Sequence, residues 1–171
     1  IPIGLTVEET VLFSNIMGCT VGAFPIKYLG LPVSMGRLRL VHLQFIIDRI
    51  KARLSVWKDK LLPLAGRCVL VRCVLSAMPT FALIVLRVPK KILKEIDKCM
   101  RRFLWCQDEE VSGANCKVNW STVCAPTEQG GLGIPDLQRF DRALRLRWLW
   151  IAWHHPERPW VGIDLPCDDA Y

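Results

Sequence analysis

The sequence predicts a mainly α protein with a short β-containing segment at its front. Two observations carry this: apolar residues recur at helical spacing over 39–61, 64–78 and 89–105, and the glycines and prolines of the first 36 residues are too dense for long helices. The hydrophobic fraction of 51% over 171 residues supplies a packed core and excludes global disorder.

Residues 1–36 are punctuated by Gly4, Gly18, Gly22, Pro25, Gly30, Pro32 and Gly36. Val7 to Met17 is expected as a short helix, capped by Thr6 with Glu8 and Glu9 in its first turn. Ile26 to Leu29 reads as a short strand that continues past Gly30 as Leu31 to Val33. In 39–61, Leu43, Ile46, Ile47, Ile50, Leu54 and Trp57 form an apolar stripe, with Arg49, Lys51, Arg53, Lys58 and Lys60 mostly off it. Residues 64–78 are apolar on most faces apart from Arg67 and Arg72, which predicts a central position in a bundle and an end at Pro79. Residues 80–87 fit either type of element. Pro89 opens a third helix with an inward stripe of Ile92, Leu93, Ile96, Met100, Phe103 and Leu104. Residues 106–135 read as a polar connection in which Gly130-Gly131-Leu132-Gly133 makes a turn or a close backbone approach. Asp136 caps a last helix with the stripe Leu137, Phe140, Leu144, Trp148 and Ile151, and an extended, proline-containing tail follows from His154.

The net charge of +7 is concentrated in one segment: residues 27–103 carry seventeen Lys and Arg against four acids. Such concentration suits phosphate binding, and it also suits a solvated helical surface. The longest unbroken apolar stretch, Phe81 to Leu86, is far below the roughly 20 residues of a membrane helix, so no membrane partner is expected. No signal peptide is visible, and an intracellular location, nuclear or cytoplasmic and not secretory, is expected. The eight cysteines form no C-x-x-C pair and no common zinc spacing, so no metal site is expected and the thiols read as reduced.

No catalytic centre is legible. A Ser/His/Asp set and a P-loop are missing, Gly130 to Gly133 lacks the flanks of a dinucleotide site, and Asp168-Asp169 follow no apolar strand. Neither a cofactor nor a small-molecule substrate is expected. Trp57, Trp105 and Trp148 fall on inward stripes, whereas Trp150 and Trp153 are less constrained as possible base-stacking surfaces.

Several blocks, weak singly, stand in a specific order: Lys27-Tyr28-Leu29-Gly30-Leu31-Pro32; Trp57-Lys58 through Gly66-Arg67 to Met78-Pro79; Ile96 through Phe103-Leu104-Trp105; Cys116 to Trp120; Gly130 to Leu137; and Arg142 to Trp150. In this order they resemble the region after the catalytic palm in reverse transcriptases of LINE-type (non-LTR) retrotransposons, especially of the plant lineage. The resemblance implies a palm remnant with a primer-grip-like strand over 1–36, a helical thumb over 37–106, and a connector over 107–171. The acidic hairpin that would hold two catalytic ions is missing, so the chain is expected to be a non-catalytic fragment of an RNA-directed DNA polymerase whose parent would use Mg. Its implied partners are a template–primer duplex of RNA and DNA and the remaining polymerase domains.

The residues expected to touch nucleic acid are Lys27, Tyr28 and Gly30 in the grip, and Arg67, Arg72, Lys90, Lys91, Lys94, Lys98, Arg101 and Arg102 for phosphates. Each has a bland alternative: a buried strand and turn for the first three, a helix-end cap for Arg67, and a solvated face for the others. A helical protein-interaction module or a functionless retroelement remnant is the competing reading of the whole. Without palm surface beneath its helices, incomplete cooperativity or self-association is expected.

Overall fold

The computed structural model describes residues 1–57, 62–105 and 118–162. Lys58, Lys60, Cys106, the acids Asp108 to Glu110, Cys116, Lys117, Cys167 and Asp168-Asp169 lie outside the described residues. The protein is mainly α, and among the described residues the sheet is a single antiparallel pair. It divides into two compact units, Ile1–Leu43 and Gln44–Tyr171.

In the first unit, α1 (Val7–Met17) begins with a complete capping box. The Thr6 side chain accepts from the Glu9 amide, and the Glu9 carboxylate accepts from the Thr6 amide at 2.8 Å. Gly18 closes the helix in the left-handed conformation. The helix buries none of its residues.

β1 (Ile26–Tyr28) and β2 (Leu31–Val33) form a hairpin in which Tyr28 pairs with Leu31. The expected straight continuation past Gly30 is therefore corrected: the chain reverses at Leu29-Gly30. Both turn residues have positive φ, 49° and 83°, the geometry of a type I′ turn, whose twist matches that of the strands. Leu29 is the poor fit, because its Cβ crowds the backbone there. Its side chain is 72% exposed, so little packing offsets that cost. Leu29→Asn is expected to raise stability by about 0.5–1 kcal/mol, seen as a later unfolding midpoint in urea; an unchanged or earlier midpoint would show that Leu29 is held by packing.

α2 (Leu40–Val56) buries Leu43, Ile46, Ile47 and Ile50, with Leu54 half-buried, as its periodicity predicts. In the second unit, α3 (Leu64–Leu70) passes into a π-helical segment, Val71–Leu75, and a turn leads to α4 (Thr80–Val85). Here the expectation of a uniformly central helix fails. α3 buries no residue, and Leu64 and Val69 are exposed; burial begins at Val71 and Leu75. The wide turn is the physical reason. The Ser76 amide and hydroxyl both donate to the Val71 carbonyl, at 3.1 and 2.7 Å, and the extra residue per turn re-phases the apolar face. Pro79 is a junction rather than an end, since α4 follows directly.

The run Leu64–Val85 has the length and apolar composition to cross a membrane, and a third of it is buried. Its unbroken apolar stretches are short because Arg67, Arg72 and small polar residues interrupt it. One such run is weak evidence for a membrane span, because core helices of other folded proteins meet the same length and composition.

α5 (Lys90–Trp105) is the pivot of this unit. α3, the π segment and α7 (Leu137–His154) pack on it, and α4 packs on α7. Ile92, Leu93, Ile96, Met100, Phe103 and Leu104 are all buried. The Trp57 and Phe103 rings, 6.1 Å apart, join the end of α2 to the end of α5. The expected connection contains a short helix the sequence reading missed, α6 (Trp120–Val123), capped by the Asn119 side chain. Among the described residues after His154, 156–162 form turns rather than the expected extended chain, and the remainder of that expected tail lies outside the described residues. The Trp160 ring packs edge-on against Trp148, 5.5 Å away.

Candidate nucleic-acid interface

α5 is sharply two-sided. Lys90, Lys91, Lys94 and Lys98 are exposed, and Lys90, Lys94, Lys98 and Arg102 follow one another at four-residue spacing. At 1.5 Å per residue each step climbs about 6 Å, so the cations form a strip along the helix axis. Glu95 is the exposed acid beside it.

α2 adds a cation to the surroundings of α5. Burial chiefly pushes the Cys99 thiol up from its ordinary pKa, while Lys51 of α2, Arg102 and Lys98 pull it back and Glu95 opposes them. One thiol thus senses cations from both helices. Lys51 was legible as off the apolar stripe of α2, but nothing in the sequence linked it to Cys99 of α5.

The arginines behave differently from the lysines. Arg67 donates from Nη1 to the Phe103 carbonyl at 3.4 Å, and its Nε is buried without a partner. It therefore serves the last turn of α5, where a cation offsets the negative helix end. Arg101 lies with its guanidinium carbon 5.3 Å from the Trp120 ring centre, a cation–π contact that pins α6 to α5. Arg102 is half-buried with an unpartnered Nε. Arg72 lies against the Gly130–Gly133 turn: its Cζ is 3.5 Å from where a Cβ on Gly133 would stand. The Glu128 carboxyl there is held below its ordinary value by its own backbone amide and the Thr127 hydroxyl, with Arg72 adding a smaller pull.

In the first unit, Lys27 and Tyr28 are exposed on β1, Tyr28 by 64%. Gly30 supplies the positive φ of the hairpin turn, and no atom lies within 4 Å of where its Cβ would be. Its role in this structure is conformational rather than a close approach to a neighbour.

At the edge of the buried face of α5, flanking the basic strip, Asp97 is buried. Burial raises its carboxyl to about 6, helped by Asp136 and opposed by the Trp120 indole and Arg101. Asp97 Oδ1 and Trp120 Nε1 nonetheless lack a partner at hydrogen-bonding geometry. The neighbouring Cys124 thiol is pushed to about 12, first by burial and then by Asp97 and Asp136. Among the described residues no group of His, Cys, Asp and Glu could hold a metal ion.

α7 carries Arg139, Arg142, Arg145 and Arg147, which the sequence spreads around the helix. Arg145 is buried and bonded to the equally buried Asp141, so it is unavailable to a ligand. Trp148, on the inward stripe, donates from its indole to the Ile84 carbonyl at 2.9 Å.

No family model matches the chain. Over 114 residues, 67% of the chain, it is 36% identical to a protein of Arabidopsis thaliana named "Putative ribonuclease H protein". The chain spans 18% of the length of that relative.

Proposed function

We propose that this chain is a nucleic-acid-binding, non-catalytic part of a retroelement-derived protein, and that it grips the backbone of an RNA–DNA template–primer duplex. The observation that carries the reading is the strip of Lys90, Lys94, Lys98 and Arg102 on α5. Cations on a rigid helix suit backbone recognition by charge and shape, without base reading. The similarity to a plant protein named for ribonuclease H supports a nucleic-acid setting. The ordered blocks of sequence support the finer assignment to the thumb and connector of a LINE-type reverse transcriptase. In that assignment the hairpin with Lys27, Tyr28 and Gly30 is the grip, nucleotide joining with Mg belongs to other domains of the parent, and the site of action is nuclear or cytoplasmic.

The test is affinity for a short RNA–DNA hybrid across a salt series, for the wild type and for Lys94→Glu/Lys98→Glu. Both lysines are exposed, so the variant keeps its core. Removing two phosphate contacts lowers the slope of log affinity against log salt by about 2. An unchanged slope would refute phosphate binding by α5.

A further inference from the structure

The second half of α7 carries a surface that the strip on α5 does not use. Leu146, Arg147, Leu149, Trp150 and Trp153 line an open groove of about 540 Å³. Trp150 is 59% and Trp153 81% exposed. Leu146, Leu149, Trp150 and Trp153 follow the i, i+3, i+4, i+7 spacing, so they share one helix face. The aromatic rings form a series. Trp150 and His154 lie 3.8 Å apart and tilted by 33°, close to a stack, and Trp153 stands edge-on 6.5 Å from Trp150. His154 is anchored, its Nδ1 donating to the Trp150 carbonyl at 2.9 Å.

We infer that this face of α7 is a stacking platform for single-stranded nucleic acid. Charge complementarity selects that occupant. The exposed charged residues along α7 are Arg139, Arg142 and Arg147, while its one acid, Asp141, is buried and bonded to Arg145. Among the described residues the flanking acids are Asp136, which caps the far end, and Glu157, which faces His155. Flat aromatic faces accept any base, and Arg147 one turn before Trp150 is placed to meet a phosphate. Among the described residues of this face, a protein partner would meet cations and indoles and no acid to pair with its own basic groups. The platform is separate from the lysine strip and takes unpaired strand rather than duplex.

Titration of the whole chain with a short oligouridine, and separately with an oligothymidine, reads this directly. Stacking on Trp150 or Trp153 quenches indole emission. Trp153→Ala loses roughly 10-fold in single-strand affinity, and Trp150→Ala/Trp153→Ala more, while binding of the RNA–DNA hybrid is retained. Trp153→Phe, which keeps a ring, recovers most of the loss. Lys94→Glu/Lys98→Glu gives the opposite pattern, so failure of the α5 reading is distinguishable from failure of this one. Unchanged single-strand affinity in Trp150→Ala/Trp153→Ala overturns the proposal. So does a wild type that self-associates in sedimentation while Trp153→Ala is monomeric and binds single strands equally well, because the face is then a protein contact.

Discussion

Gly131→Ala is expected to be the most destabilising single-methyl change in the second unit, costing on the order of 3 kcal/mol or more. A Cβ at Gly131 would lie 2.0 Å from the Ala125 carbonyl oxygen and 2.5 Å from its carbon. Both are backbone atoms, so no side-chain rotation relieves the clash. The surrounding chain is also tied down: Gly131 donates to the Pro126 carbonyl at 3.1 Å, Leu132 to Val123 at 2.9 Å, and Gly133 to Ala125 at 3.0 Å. Making room breaks these bonds and loosens α6, and with it the Trp120 contact to Arg101. Gly130→Ala is the control. Its φ is positive but the space around it is open, so its cost is limited to backbone strain of about 1 kcal/mol. Urea unfolding of the two variants separates clash from strain, and equal midpoints would contradict the tight approach.

Asp97→Asn is expected to stabilise the protein at neutral pH by up to roughly 3 kcal/mol, less in so far as water reaches the carboxylate. Asp97 is 8% exposed and its carboxyl is raised to about 6 from the ordinary 3.8. Between those values the folded state holds a proton that the unfolded chain has released. Stability contributed by this group therefore falls as pH rises from about 4 to about 6, and then stays level. Protonated Asp97 resembles Asn, so wild type and variant converge near pH 3, below the ordinary 3.8, and diverge fully above pH 7. Asp136 and Arg101 face the same carboxyl and remain in both proteins, which lets the comparison isolate Asp97. Unfolding curves at the two pH values decide it. A variant that is less stable than wild type by the same amount at both would mean that Asp97 acts through a hydrogen bond rather than a buried charge.

Both effects originate where the connector meets α5, a junction the sequence hints at without describing. The Gly-Gly-x-Gly run predicts a close backbone approach, but not that Ala125 is the neighbour. Asp97 reads as one more polar residue of an amphipathic helix, and only the docking of Trp120 and Cys124 onto that side makes it a buried acid. Arg67 was expected at a phosphate or a helix end and Arg72 at a phosphate; the structure takes Arg67 to the end of α5 and lays Arg72 against the glycine turn. The lysines of α5 stay in solvent because desolvating an ammonium is costly, while their apolar stems can lie along the helix surface.

What the sequence determined by itself is the local order of the chain. The stripes of α2, α5 and α7, the Thr6 and Asp136 caps and the opening at Pro89 all depend on neighbours within a few residues, and periodicity records those. Tertiary structure alone decided the rest: the re-phasing at Val71–Leu75, the burial of the Arg145–Asp141 pair, the pull of Lys51 on the Cys99 thiol, and the exposure of Trp150 and Trp153. Each of these is set by which surface a distant segment covers, and burial energies between segments leave no period in the sequence.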